Sequence, residues 1–105
     1  MDTSFAISAS SLHVTQVRQD VTGNNIANIN TDRFEAKDVV QAEQNPGVSV
    51  GAIRKTPNTN PLGHSNTDLP KEMGNLIVNK DTYGANARVF KVQDKMVGEL
   101  IDLIR

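Results

Sequence analysis

The chain contains 105 residues, of which 37% are hydrophobic but only 4% aromatic, and it has neither tryptophan nor cysteine. We expect one domain of this length to build a thin two-helix seam more readily than a thick globular core. The formal net charge is −1, with basic residues spread along the chain, which argues against a nucleic-acid partner. Without cysteine there is no disulfide framework, and no apolar run approaches the ~20 residues of a membrane span, so we expect no membrane insertion.

The first predicted element is a helix over roughly residues 4–29 with two apolar faces. One face is lined by Phe5, Ala9 and Leu12, and the roughly opposite face by Ile7, Val14, Val17 and Val21. A helix that is apolar on two sides needs two partners. We expect one partner to be the C-terminal helix and the other a neighbouring subunit; the alternative is a helix buried between elements of its own chain. The two-partner hypothesis predicts that Leu12→Asp and Val14→Asp separate, one unfolding the subunit and the other blocking assembly.

The predicted helix ends in an asparagine-rich motif over residues 24–31. Asparagine tolerates the left-handed conformation, and its amide bonds local backbone groups, as a helix exit requires. The same amides expose donors and acceptors that could bind another chain. The candidate packing or assembly residues of this motif are Asn24, Asn25, Asn28, Asn30 and Thr31.

The middle of the chain predicts a β-hairpin followed by a linker. Two partly alternating apolar stretches, 34–43 and 48–55, flank the turn signal Asn45-Pro46-Gly47. Two strands alone are marginal, so this hairpin must lean on a helix or on a neighbour. Residues 56–63 carry two prolines and no periodicity, which predicts a loop or semi-rigid linker.

The last third of the chain predicts one long helix. Its apolar residues recur in alternating steps of four and three, the heptad pattern of a coiled coil, interrupted only by Lys80 and Asp94. The residues of this predicted seam are Leu69, Met73, Leu76, Tyr83, Ala87, Phe90, Val97, Ile101 and Ile104. At ~1.5 Å per residue the helix would exceed ~50 Å. We therefore expect an extended molecule that buries the seam partly against itself and partly against other copies.

Both ends of the long helix carry further signals. Capping oxygens precede it at Ser65, Asn66, Thr67 and Asp68. Pro70 is tolerated in a first turn, and the charge of Glu72 suits the helix dipole there. A second apolar line runs beside the seam and consists of Val89, Val92, Met96, Leu100 and Leu103. We expect this broadly apolar end to be covered in use.

These patterns predict a mainly α protein with two long terminal helices packed antiparallel as a coiled coil. A short β-hairpin and a Pro-rich linker lie between them, and we expect the hairpin at one end of a rod-shaped molecule. The expected segments are 1–31, 32–64 and 65–105, within one structural domain. We also expect the isolated subunit to be only marginally ordered at its ends and to gain helix on assembly.

Residues typical of catalysis or metal binding are sparse. His13 and His64 have neither a histidine at i,i+4 nor a cysteine neighbour, so we expect no metal site. The glycines are isolated turn glycines rather than a phosphate-binding loop, and no serine sits in a nucleophile-elbow pattern. We expect no cofactor and no enzymatic activity.

The two ends of the chain resemble bacterial flagellar rod and hook proteins. Residues 24–31, followed by Phe34, are similar to the N-terminal signature of that family. The C-terminal run is similar to the family's C-terminal domain through Ser65-Asn66-Thr67-Asp68-Leu69, Glu72-Met73, Leu76-Ile77, Tyr83, Ala85-Asn86-Ala87 and Asp94-Lys95-Met96. The two motifs stand in the right order and together cover about two thirds of the sequence.

The resemblance implies an axial component of the flagellum, in which terminal helices form the inner coiled-coil layer of a helical tube. The implied partners are other copies of the chain, other flagellar rod and hook proteins, and the flagellar type III export apparatus, which exports subunits without a cleaved signal peptide. The reduced middle resembles a small rod-type member located in the basal-body rod. The alternative is an adaptor or assembly regulator that kept the rod-protein ends without polymerising.

Three positions depart from the family pattern. Arg33 stands where the family usually has glycine, Asp81 reverses a typically basic position, and Gly84 replaces a commonly acidic helix former. Gly84 should cost up to ~1 kcal/mol of helix stability relative to alanine. The packing and assembly residues expected on the two helices are Phe5, Leu12, Val14, Leu69, Met73, Leu76, Tyr83, Asn86, Phe90, Val97 and Ile101.

Overall fold

In a computed structural model, which describes residues 2–104 of the chain, one helix precedes a β-hairpin along the sequence and a second helix follows it. The elements are α1 (Asp2–Ala27), β1 (Lys37–Glu43), β2 (Val48–Lys55) and α2 (Leu69–Ile104). The mainly α architecture with a short antiparallel hairpin is therefore confirmed. The terminal residues of the predicted segments, Met1 and Arg105, lie outside the described part.

The two helices run in opposite directions along each other. Phe5, near the start of α1, stacks edge-to-face on Phe90, in the second half of α2, with ring centroids 5.1 Å apart. At the opposite end of α1, the Thr67 hydroxyl donates to the backbone carbonyl of Asn25 at 3.1 Å, just before α2 begins. The contacts along α1 thus meet α2 in reverse order, as the sequence predicted.

The hairpin lies along α1 rather than at one end of the molecule. Its first strand begins beside Asn25, which bonds the backbone of Lys37, and its turn lies beside Ser10, whose hydroxyl accepts from the Val48 N–H at 3.2 Å. The prediction of a hairpin at one end is wrong. The hairpin instead packs on the second apolar face of α1. This contact removes apolar surface of both the helix and the two strands from water, and two strands alone would be only marginally stable.

This arrangement also decides the partner of the second α1 face. Val14, on the side of α1 that carries Ser10 and Val21, has 0% exposure and is the only buried large apolar side chain in residues 3–104. The hairpin packs mainly on α1 and meets α2 through the salt bridge between Asp38 and Lys71, whose atoms are 3.2 Å apart. The expected neighbouring subunit on this face is therefore wrong for the part of the face that the hairpin covers, and the alternative, a helix buried within its own chain, holds there.

The first strand begins three residues later than predicted, at Lys37 instead of residue 34. The backbone before it is occupied by asparagine side chains: the Asn66 amide oxygen accepts from the Ala36 N–H at 2.7 Å, and the Asn58 amide donates to the Phe34 carbonyl at 2.9 Å. These groups are therefore not available for a strand ladder. The second strand has the predicted bounds, and a register shift after Val40 marks a β-bulge.

The molecule is elongated, with extents of 69 × 24 × 14 Å and a Cα radius of gyration of 18.2 Å. A compact domain of this length would have a radius of gyration of about 13 Å. The 36 residues of α2 set the long dimension. The extended shape expected from the sequence is confirmed.

Candidate functional site

Asn25 joins the end of α1 to the start of the hairpin. Its side chain is 1% exposed, and its amide donates to the Lys37 carbonyl at 2.8 Å while its oxygen accepts from the Lys37 N–H at 2.9 Å. The Asn25 side chain thus pairs with both the N–H and the carbonyl of Lys37, as the backbone of a neighbouring strand would. Thr67 adds a third contact through the Asn25 carbonyl. One residue of the N-terminal motif therefore connects α1, β1 and the segment before α2.

Two asparagines of the linker and of the C-terminal motif complete this junction. Asn66 accepts from Ala36 and donates to the Thr56 carbonyl at 2.9 Å, so it holds both ends of the hairpin. Asn58 donates to the carbonyls of Phe34 and His64, the latter at 2.6 Å. Asp68 caps α2, because its carboxylate accepts from the Lys71 N–H at 3.3 Å. Of the four predicted capping residues, Asn66 and Thr67 instead bond to the junction.

Arg33 keeps a left-handed backbone despite its side chain. Its φ is 61°, the region that glycine adopts at lower cost, and its N–H donates to the Gly63 carbonyl at 2.7 Å. Gly63 also has a positive φ, of 75°. The replacement of glycine by Arg33 therefore leaves the turn in place, at the cost of a side chain in a sparsely populated conformation.

The other motif residues shape the exit of α1 and remain nearer the surface. The Asn28 amide donates to the Asn24 carbonyl at 2.8 Å, and its oxygen accepts from the Thr31 hydroxyl at 2.9 Å. Asn24, Asn30 and Thr31 are exposed. The motif thus divides into one buried residue, Asn25, and a set of more accessible amides.

The face of α2 that meets α1 differs from the predicted seam. The buried and partly buried side chains of this face include Glu72, Leu76, Asn79, Asn86, Ala87, Gln93 and Val97. This set shares Leu76, Ala87 and Val97 with the predicted seam. Of the polar residues at every seventh position, Asn86 was among the predicted packing residues, whereas Glu72, Asn79 and Gln93 were missed, because a search for apolar periodicity passes over them.

The facing side of α1 is polar at the same spacing. Ser8, Thr15 and Thr22 are buried seven residues apart, and the Ser8 hydroxyl donates to the Gln93 amide oxygen at 3.2 Å. Glu72, at 2% exposure, and Asn79 lie in the interface, and each keeps one side-chain atom without a hydrogen-bond partner among the described residues. Because the most deeply buried side chains of the α1–α2 interface are polar, burial of apolar surface there contributes little to its stability.

Several predicted seam residues instead face solvent in the single chain. Leu69, Met73, Tyr83, Phe90 and Ile101 are exposed, although Phe90 also contacts Phe5. Leu12, Leu76, Asn86 and Val97 are partly buried, and Val14 is buried. The packed face of α2 therefore lies to one side of the predicted stripe, and the expected burial of the rest of that stripe against other copies stays a prediction.

The exposed side of α2 carries a long apolar surface. Its large apolar side chains include Ile77, Val78, Val89, Val92, Met96, Leu100, Leu103 and Ile104. Because Phe5 meets Phe90 close to the start of α1, the last turns of α2 extend past that start. We call residues 96–104 the α2 overhang, which at ~1.5 Å per residue is ~13 Å long. Exposure reaches 83% at Leu103 and 85% at Ile104.

Residues 2–104 hold no group of three or more His, Cys, Asp or Glu side chains placed to share a metal ion, and both histidines are exposed. No helix within that range is long and apolar enough to span a bilayer. What the geometry offers is a polar junction, a polar interior seam and an apolar exterior on α2.

Comparisons with known proteins match both ends. Residues 5–34 match the model of the flagella basal body rod protein family, and residues 62–103 match that of the flagellar basal body rod FlgEFG protein C-terminal region. The chain is also 33% identical over 94 residues to the flagellar hook protein FlgE of Escherichia coli (strain K12), an alignment covering 85% of this chain and 23% of that protein. The chain therefore spans about a quarter of that relative's length. The chain belongs to the flagellar basal-body rod and hook protein family, whose members are structural proteins rather than enzymes.

Proposed function

We propose that the chain is a structural subunit of the flagellar basal-body rod that polymerises through its terminal helices. Its family membership supports a structural role in the flagellar axis. The observation that carries the proposal is the distribution of polarity: the α1–α2 interface buries Glu72, Asn79 and Thr15, whereas the outer side of α2 exposes its apolar residues. A helix with its larger apolar surface outside is stabilised only when other molecules cover that surface.

In the assembled state, the two terminal helices form a coiled coil in which the polar heptad positions fix the register. Polar residues at core positions specify register at a cost in stability, and Asn79, Asn86 and Gln93 repeat at the required interval. Segments 1–31 and 65–105 provide this coiled coil, and segment 32–64 provides the hairpin and linker. The partners are other copies of the chain and other flagellar rod and hook proteins. Export proceeds through the flagellar type III apparatus without a cleaved signal peptide.

The test is a charge placed on the exposed apolar side of α2. Leu100→Asp should leave the free energy of unfolding of the dilute monomer within about 0.5 kcal/mol of the original, because the site is exposed. The same change should abolish polymerisation, since an unpaired carboxylate would be buried on assembly. Leu62→Asp is the matched control, because Leu62 is an exposed leucine in the linker outside both helices.

The readouts are particle length by negative-stain microscopy and recovery of tagged protein in purified basal bodies. Polymerisation of the Leu100→Asp protein at the original concentration would contradict the proposal. An original chain that stays monomeric when concentrated, yet co-purifies with basal bodies, would favour the alternative of a non-polymerising adaptor or assembly regulator. Asp81 is the feature that favours that alternative, since it reverses a charge at an exposed position of α2.

A further inference from the structure

A groove between α1 and the hairpin combines an apolar floor with two lysines. It is lined on the α1 side by Val17, Val21, Asp20 and Asn24, and on the hairpin side by Ile53, Lys37 and Lys55. Its volume is about 420 Å³. Ile53 is 49% exposed, although it pairs with Val39 inside the two-stranded sheet. The hairpin therefore covers α1 incompletely at this point and leaves apolar surface in contact with water.

The two lysines of the groove repel each other. Lys37 and Lys55 are direct partners in the antiparallel pair, a position at which like charges destabilise a sheet. The salt bridge found within residues 3–104, between Lys71 and Asp38, uses neither of them. With Asp20 also in the lining, the groove keeps an excess of one positive charge. An acidic group entering beside the lysines would lessen their repulsion and gain ammonium partners.

The α2 overhang has the complementary chemistry. Met96, Leu100 and Leu103 recur at steps of four and three, so they share one helix face. Glu99 borders that face next to Leu103, whereas Asp102 lies further round the helix, and both are exposed. The overhang itself, residues 96–104, contains these two acidic residues and no basic residue. The overhang is therefore an apolar stripe bordered by Glu99, and its apolar side chains are exposed in the part of the chain that the structure describes.

We propose that the α2 overhang of one copy docks in the groove between α1 and the hairpin of a second copy. Leu100 and Leu103 cover Val17, Val21 and Ile53, and the carboxylate of Glu99 faces Lys37 and Lys55. The overhang and the groove are different surfaces, so the contact is head-to-tail and does not close on itself, which makes an open assembly. The inference rests on the proposed function and specifies one of its interfaces.

The first test is a charge exchange between two proteins. Lys55→Glu should still fold, because it places an acid opposite Lys37. Alone, Lys55→Glu and Glu99→Lys should each raise the concentration needed for self-association by roughly five- to tenfold. An equimolar mixture of the two should associate better than either, because the reversed overhang then matches the reversed groove. Sedimentation velocity at about 0.1 M salt measures this, and higher salt should weaken the original association.

Matched controls are Lys91→Glu for the groove and Asp94→Lys for the overhang. Both sites are exposed; Lys91 lies outside the groove, and Asp94 lies on the far side of the helix from Glu99. A mixture in which Lys91→Glu replaces Lys55→Glu, or Asp94→Lys replaces Glu99→Lys, should not associate better than its two components alone. If the controls behave like the test pair, or if the mixture shows no recovery, the docking is wrong.

A second test needs no change of charge. The chain lacks cysteine, so disulfides form only where they are introduced. A protein with Ile53→Cys mixed with a protein with Leu100→Cys should give mainly the mixed disulfide, and far less with Val89→Cys as the partner. Mainly homodimers of the Leu100→Cys protein would show that overhangs pair with each other, which overturns the inference but leaves polymerisation standing. An original chain that never self-associates would overturn both.

Discussion

At the scale of single residues, a few polar side chains determine how the elements are joined. Asn25 satisfies both backbone groups of Lys37 from a site that is almost inaccessible to water. Arg33 holds a left-handed turn next to it without the glycine that would favour that conformation. The turn and the junction are therefore maintained by hydrogen bonds rather than by backbone preference alone.

We predict that Asn25→Ala lowers the free energy of unfolding by roughly 2–4 kcal/mol, because two hydrogen bonds are lost and the Lys37 backbone keeps no equivalent partner. Urea denaturation followed by circular dichroism measures the change. Asn24→Ala is the control. The side chain of Asn24 is exposed, so this substitution should change the free energy of unfolding by no more than about 0.5 kcal/mol. Equal effects of the two substitutions would contradict the role assigned to Asn25.

Gly47 is the glycine that the hairpin turn requires. Its φ is 100°, and a Cβ there would collide with the Ser10 hydroxyl. We predict that Gly47→Ala costs roughly 1–3 kcal/mol from the strained conformation, plus the displacement of Ser10 from its bond to Val48. Thermal and urea unfolding measure this cost.

Gly84→Ala provides the opposite expectation in the same assays. Gly84 lies within α2, and nothing lies within 4 Å of a Cβ built there. The alanine should raise stability by up to ~1 kcal/mol, as its helix propensity is higher. If Gly47→Ala also raised stability, contrary to the cost predicted for it, the hairpin turn would not pack on α1 as described.

At the scale of elements, α2 consists of a paired part and an unpaired part. The paired part faces α1 from Glu72 to about Val97, whereas residues 98–104 of the overhang are all exposed in the described part of the chain. Helices without tertiary packing are weak in water. The sequence-based prediction that the subunit is marginally ordered at its ends remains a prediction, and the structure locates where it should be tested.

We predict that amide hydrogens of residues 98–104 exchange at least ~10-fold faster than those of residues 76–90 in dilute monomer, because only the latter are stabilised by packing. On assembly the difference should shrink, as the overhang becomes covered. Hydrogen exchange with mass spectrometry measures both states. Uniform protection along α2 in a demonstrably monomeric sample would refute the prediction.

At the scale of the whole molecule, the chain is a thin rod with a weak interior. Within residues 3–104 a single large apolar side chain, Val14, is buried, so apolar burial contributes little to the stability of one isolated copy. The outer face of α2 holds more apolar surface than the interior. Assembly can therefore supply stabilisation that the single chain lacks.

We predict that small-angle scattering of the dilute monomer gives a radius of gyration close to the 18.2 Å of the Cα trace, with a small increment for side chains and hydration. Folding back of the overhang would bring the value towards the ~13 Å of a compact domain. Measurement over a dilution series separates shape from assembly. A value near ~13 Å at the lowest concentration would refute the extended monomer.

The sequence by itself determined the two helices, the hairpin, the extended shape and the family. Local signals suffice for these, because helix periodicity, a Pro-Gly turn and motifs at both termini can be recognised without knowing what packs where. The second strand and the Asp68 cap were predicted at their positions for the same reason. The Asn-rich motif was identified, although the separate role of Asn25 was not.

Only the tertiary structure decided which faces are covered. The hairpin's place along α1, the shift of the α2 interface onto Glu72 and Asn79, and the use of Asn58 and Asn66 in the junction all depend on contacts between distant residues. Apolar periodicity shows that a helix needs a partner but does not name it. Polar residues enter a seam wherever register and hydrogen bonding outweigh apolar burial, and that balance is set in three dimensions.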